Sequence, residues 1–199
     1  SLVLAVIMLL AVFAPLVSSF ADSADIVIKN EKDYLNLVKK CKTDTWSKGK
    51  TVTLANDIDL SKTDFSPIPT FGGHFDGKGY TISGIKINKK GSATGLFRYI
   101  QSGATVENLN VSGTVTPDGT QKNIGGIVGS LSGTLKNCTF SGNIKAKTNV
   151  GGIAGYVTET GVIDSCTFSG SVIATSYTGG IAGQNFGTIS NCENKGSIN

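Results

Sequence analysis

Gly125-Gly126-Ile127-Val128-Gly129, Gly151-Gly152-Ile153-Ala154-Gly155 and Gly179-Gly180-Ile181-Ala182-Gly183 are copies of one pentapeptide, starting 26 and then 28 residues apart. Each copy is followed by a second echo: Asn137-Cys138-Thr139-Phe140-Ser141-Gly142, Ser165-Cys166-Thr167-Phe168-Ser169-Gly170, and Asn191-Cys192-Glu193-Asn194-Lys195-Gly196. A fainter copy precedes them, with Leu96 in the Ile127 place and Asn108-Leu109-Asn110-Val111-Ser112-Gly113 as its echo. Self-similarity at a fixed short period marks units that bury their apolar faces only by stacking on one another.

Superposing the copies yields five apolar rows. Leu96, Ile127, Ile153 and Ile181 form the first, and Val106, Leu135, Ile163 and Ile189 the second. Leu109, Cys138, Cys166 and Cys192 form the third. Val111, Phe140 and Phe168 form the fourth, which Asn194 interrupts, and Val115, Ile144, Val172 and Ile198 the fifth. Within a copy, Leu109 and Val111 are two apart and share one face of a strand, whereas Val106 and Leu109 are three apart and do not. All three point inward only if the chain turns a corner between the first pair. The corner falls at Asn108, Asn137, Ser165 and Asn191, residue types that accept tight-turn backbone angles. Stacked, they are expected to bond to one another along the axis. Ile82, Ile85 and Ile87 repeat the three-then-two spacing and imply an earlier coil with Gly84 at its corner. Gly113, Gly142, Gly170 and Gly196 mark a second corner, and the GG-I-x-G segment is read as a further strand whose glycines either crowd a neighbour or allow positive φ. A right-handed parallel β-helix, an all-β solenoid, satisfies these spacings.

Composition agrees. The 199 residues are 39% hydrophobic, only 16% charged, and include 26 glycines but four prolines, a profile of short strands and tight turns rather than disorder. The net charge of +4 is modest and is carried by scattered lysines.

Ser1 to Ala21 is an apolar run ending in Ser19-Phe20-Ala21, read as a signal peptide (1–21) cleaved after Ala21. The initiating Met and basic leader are missing, so the sequence is read as starting inside that signal. The competing reading is a retained membrane anchor, and membrane contact is expected only through this segment if uncleaved. Residues 22–50 are read as an N-terminal capping region: Asn30 caps a helix from about Glu31 to Cys41, whose Tyr34, Leu35, Leu37, Val38 and Cys41 make an apolar stripe covering the solenoid's open end. Residues 51–94 are leader strands and a first coil, with Val52, Leu54, Ile58 and Leu60 alternating in one strand and Asp57 and Asp59 on its other face. Residues 95–199 are the repeats, expected to continue beyond Asn199.

The GG-I-[VA]-G … G-x-[IL]-x-[NS]-C pattern resembles the GLUG repeat of bacterial surface and secreted proteins, including non-catalytic N-terminal parts of some IgA-protease-like metallopeptidases. Leu54-Ala55-Asn56-Asp57-Ile58-Asp59-Leu60, Pro67-Ile68-Pro69 and Phe75-Asp76-Gly77-Lys78-Gly79-Tyr80-Thr81-Ile82 look like the leader that precedes such repeats. The likeness spans residues 50 to 199. It implies an extracellular β-helical module with no established catalytic residues.

The residues able to carry chemistry have ordinary roles open to them as well. Cys138, Cys166 and Cys192 share a row, and three parallel thiols at strand spacing are read as a buried stack of small hydrophobes rather than a disulfide. They lack the paired short spacing and histidine of a zinc site. Asp57, Asp59, Asp64 and Asp76, with His74, the chain's single histidine, form the best candidate for a lyase-like or calcium site. Each has an alternative as a turn or solvent-facing residue. No GxSxG elbow, phosphate loop or dinucleotide fingerprint occurs, and Lys39-Lys40 and Lys89-Lys90 lack interleaved aromatics for nucleic acid. No catalytic, cofactor-binding or metal residue is assigned, and no cofactor is expected. The expected function is a secreted or cell-surface, non-catalytic module serving as rigid spacer or adhesive surface, its partners glycans or host and cell-surface proteins. The alternative is part of a secreted enzyme, either a lyase-like solenoid or the non-catalytic arm of a larger peptidase.

Overall fold

A computed structural model describes residues 25–119 and 121–199. The segment read as a signal peptide, 1–21, lies outside the described residues. The described chain is a parallel β-solenoid of about six turns with one short helix near its start. In the repeats the chain crosses four sheets per turn. The first sheet stacks Ile26–Ile28, Thr51–Leu54, His74–Asp76, Thr105–Glu107, Thr134–Lys136, Val162–Asp164 and Thr188–Ser190. The second stacks Ile58–Asp59, Thr81–Ile87, Asn110–Val115, Thr139–Lys145, Thr167–Ile173 and the short strands Glu193–Asn194 and Ser197–Ile198. The third holds only Lys122–Gly125, Thr148–Gly151 and Ser176–Gly179, and the fourth holds Ile68–Phe71, Phe97–Ile100, Val128–Leu131, Ala154–Val157 and Ala182–Asn185. Every pairing is parallel, and in the repeats like residues face like: Phe140 lies between Val111 and Phe168, and Leu135 between Val106 and Ile163.

The interior consists of the expected rows. Leu96, Ile127, Ile153, Val106, Leu135, Ile163, Val111, Phe140 and Phe168 are buried, and the rings of Phe140 and Phe168 stack with centroids 6.3 Å apart and planes inclined by 7°. At the other end of the array the core is aromatic, where Phe71, Phe75 and Phe97 meet edge-on or tilted at 5.6 to 6.0 Å. Burying such surface against the neighbouring turn is the main stabilising term, because no single turn has a second layer of its own.

The corner residues behave as their spacing demands. Asn108, Asn137, Ser165 and Asn191 all have φ between 49° and 54°. Glycine and asparagine enter this left-handed region at least cost, so the choice of residue follows from the bend. The expected second corner is absent at Gly142, which lies inside the continuous strand Thr139–Lys145 at φ 154°, where a Cβ would lie 1.9 Å from the Gly113 carbonyl oxygen of the turn below. Gly113 and Gly170 share that conformation, whereas Gly196 does not.

Several expectations need correction. The GG-I-x-G segment is not one strand: Gly125 ends a strand of the third sheet, Val128 begins one of the fourth, and the motif wraps the corner between them. Its glycines serve close approach. A Cβ on Gly126 or Gly152 would stand 2.2 or 2.3 Å from the ring of Phe140 or Phe168, and one on Gly129 or Gly155 would stand 2.1 Å from backbone of the preceding turn. The earlier coil is also out of register with the expected alignment. Phe75, not Ile82, continues the Val106 row, while Ile82 pairs with Val111 and Ile87 with Val115. The two stretches differ in length by one residue, which a bulge between Ile82 and Ile85 absorbs at Gly84. Spacing alone mistook that bulge for a corner. Val52 to Leu60 is likewise two strands on two sheets, joined by a turn through Asn56 and Asp57.

The helix α1, Glu31–Lys40, starts at Asn30, whose side chain accepts from the Asp33 N–H, with acidic residues in its first turn and lysines in its last. Tyr34, Leu37, Val38 and the following Cys41 are buried, but Leu35 is exposed, one position off the stripe. Tyr34 stacks on Phe65 at 6.1 Å and donates to the Ser66 carbonyl, which pins the helix to the first turn. Among the described residues no helix is long and apolar enough to cross a membrane.

Candidate functional site

The candidate acids do not converge. Asp57 accepts from the Thr81 N–H, Asp59 closes a turn onto the Ser61 N–H, and Asp64 pairs with Lys89 at 2.7 Å. Asp76 pairs with Lys78 at 2.7 Å, and His74 Nε2 meets Glu107 Oε1 at 2.8 Å on the same outer face. The backbone N–H and hydroxyl of Ser61 hold the Asp59 carboxyl below its ordinary value. For Asp76, burial raises the pKa, but hydrogen bonds from Lys78 and Asn108 and the Lys78 charge outweigh it and leave the carboxyl lowered. The same pair raises the Lys78 ammonium. Each of these groups is satisfied singly, by its own partner. No group of three or more His, Cys, Asp or Glu able to hold a metal occurs among the described residues.

Asp76 instead starts the ladder that the corner residues were expected to form. Asn108 Nδ2 donates to Asp76 Oδ1 at 3.0 Å, and Asn137 Nδ2 donates to Asn108 Oδ1 at 2.8 Å. The ladder then breaks. Ser165 is too short to reach Asn137 and bonds to its neighbour Asp164, which also accepts from Ser190 and Asn191. Those donors, Asn191 foremost, lower the Asp164 pKa. A second ladder was not expected from the sequence: Asn123 and Asn149 also have positive φ, and Asn149 Nδ2 donates to Asn123 Oδ1 at 2.8 Å. Its signal was an asparagine two residues before each of two Gly-Gly pairs.

The thiol file is real. Cys138, Cys166 and Cys192 are free, and each donates to the carbonyl two residues back, at 3.2, 3.4 and 3.1 Å. Hydrogen bonding with Cys138, then burial, pushes the Cys166 thiol far up, and burial takes Cys41 to about 12 against the lowering hydrogen bond of Ser47. Such thiols are packing groups with little thiolate character.

Motif and spacing gave no sign of a cavity of about 200 Å³ between the leader and the repeats, lined by Phe65, Pro67, Lys86, Lys89, Lys90 and Arg98 among others. Arg98 is the chain's single arginine. Its Nε and Nη2 donate to the Ala93 and Ser92 carbonyls at 3.3 and 3.1 Å, which fixes the guanidinium plane.

Residues 120–145, 147–173 and 174–199 each match the model of the GLUG motif. Residues 120–199 of the chain are three consecutive GLUG repeats. Over 148 residues, 66% of this chain, it is 30% identical to Halomucin of Haloquadratum walsbyi, of which it spans 2%. It also resembles a crystal structure from Bacteroides ovatus, provisionally described as an immunoglobulin A1 protease. That match has 16% identity and a TM-score of 0.43, covering 83% of this chain and 74% of the other. The boundaries of the GLUG repeats coincide with the turns of the solenoid that own a third-sheet strand, so one motif is one complete turn.

Proposed function

We propose that this GLUG array is an extracellular module, secreted or held at a cell surface, that acts without catalysis as a rigid spacer and adhesive face. The observation that carries the reading is the in-register stack itself. Its interior is filled by side chains, and its second sheet turns a lattice of hydroxyls and amides outward: Thr139 above Asn110 and below Thr167, Ser141 above Ser112 and below Ser169. Neighbouring turns repeat such contacts at about 4.8 Å. A repetitive polymer, such as a glycan, meets that lattice many times with weak contacts that add through multivalency. The likeness to a stretch of Halomucin and the apolar leader at residues 1–21 support export.

Surface shaving tests the proposal. Intact cells making the full protein are treated with a protease that does not cross membranes, and peptides from the module are expected in the released fraction or the medium. Their recovery only after lysis would overturn it.

A further inference from the structure

The regular turns show why the cavity exists. Register places Arg98 at the station occupied by Gly129, Gly155 and Gly183 in the turns above. At those glycines a Cβ would lie 2.1 to 2.3 Å from backbone of the previous turn: Ala93, Asn123 and Asn149, respectively. Third-sheet backbone, or the start of that sheet, fills the space. Beneath Arg98 no such strand runs among the described residues. The third sheet begins at Lys122–Gly125, joined only by a single bridge from Thr94, and residues 61–67 form no strand. The array therefore leaves a hole one strand wide, and the chain's single arginine stands where the three turns above carry glycine.

The hole is basic. Lys86, Lys89, Lys90 and Arg98 line it, and the carboxylate close by, Asp64, neutralises Lys89 alone. Lys86 and Lys90 are exposed, and Nη1 of the pinned guanidinium bonds to no protein group among the described residues. Phe65 and Pro67 add an apolar wall. A planar cation held in place beside mobile ammonium groups recognises an oxyanion, and an apolar wall recognises the C–H face of a ring.

We propose that this cavity binds one anionic sugar unit of an acidic polysaccharide, through its carboxylate or sulfate. The inference deepens the adhesive reading and rests on it for the class of polymer met outside a cell. About 200 Å³ suits a single ring rather than a longer ligand.

Isothermal titration of the full chain with a uronate oligosaccharide, a sulfated oligosaccharide, a neutral oligosaccharide of equal length and inorganic sulfate provides the test. Binding of either anionic oligosaccharide, weakening with added salt, is expected, and which one binds names the source of the charge. The neutral oligosaccharide binding equally well would overturn the proposal, as would inorganic sulfate matching the oligosaccharides. Lys86→Gln with Lys90→Gln is expected to weaken binding about tenfold, and Arg98→Gln by at least as much. The lysine pair is exposed, so that variant keeps the fold and decides the matter even if Arg98→Gln does not. Unchanged affinity in the lysine variant would also overturn the site. Loss of anion binding together with surface recovery by shaving would remove this inference and leave the spacer reading in place.

Discussion

The three GLUG turns and the two turns beneath them share one path, yet they solve different problems. In the GLUG turns neighbouring turns fill most of each other's stations: glycine admits the backbone of the turn below, Phe140 stacks on Phe168, and Asn149 bonds to Asn123. Among the described residues of the lower turns the third sheet is missing, the second carries a bulge at Gly84, and the outer surface holds the ion pairs Asp76–Lys78 and Asp64–Lys89 and the His74–Glu107 hydrogen bond. The contrast teaches that regularity in this molecule serves stacking. Empty space lined by cationic side chains arises where the repeat is broken.

The sharpest way to break that contrast is to treat one station alike in both regions. Gly155→Ala forces a Cβ to within 2.1 Å of the Asn123 carbonyl carbon. It is expected to cost about 3 kcal/mol or more, or to prevent folding, as read by urea denaturation. Arg98→Ala at the matching station is expected to lose only about 1 kcal/mol, from its two hydrogen bonds to carbonyls. Equal costs would mean that the two regions are packed alike.

A smaller effect is expected at the foot of the first ladder. Asp76 ties Lys78 to Asn108, and its folded pKa is below the ordinary 3.8. A lowered carboxyl contributes stability that is complete well above that value and is lost as pH falls through the folded pKa. Asp76→Asn is expected to lower stability at neutral pH by about 1–3 kcal/mol and to flatten the acid limb of thermal melts below about pH 4. An unchanged acid limb would assign the pH dependence to other carboxylates.

The smallest effect sharpens the comparison from the other side. Ser165 is the corner residue that interrupts the asparagine ladder. Ser165→Asn supplies an amide long enough to meet Asn137 and a residue better suited to φ 54°. It is expected to stabilise by about 0.5–1 kcal/mol, seen as a melting temperature raised by a few degrees. A loss of stability would show that Asp164, already shared by Ser190 and Asn191, competes for the new side chain.

Legibility followed the same divide. The rows of Leu135, Cys138, Phe140 and Ile144, the corner at Asn137 and the cap at Asn30 were readable, because each repeats at a fixed interval or obeys a local rule. The bulge at Gly84 was not, because a single copy carries no second example against which to align it. Leu35 sits beside the helical stripe yet faces solvent, since only the turn underneath defines which part of that stripe is covered. The dispersal of Asp57, Asp59, Asp64 and Asp76 was equally invisible, for proximity in sequence does not say on which sheet a carboxylate lands.

By itself the order of residues determined that this chain stacks, where its turns bend and which side chains face inward, because period and step size are set by strand geometry alone. Only the tertiary structure decided why the motif's glycines are needed and where an empty space remains. Those depend on how near one turn's backbone comes to the next, a distance that no spacing along the chain encodes.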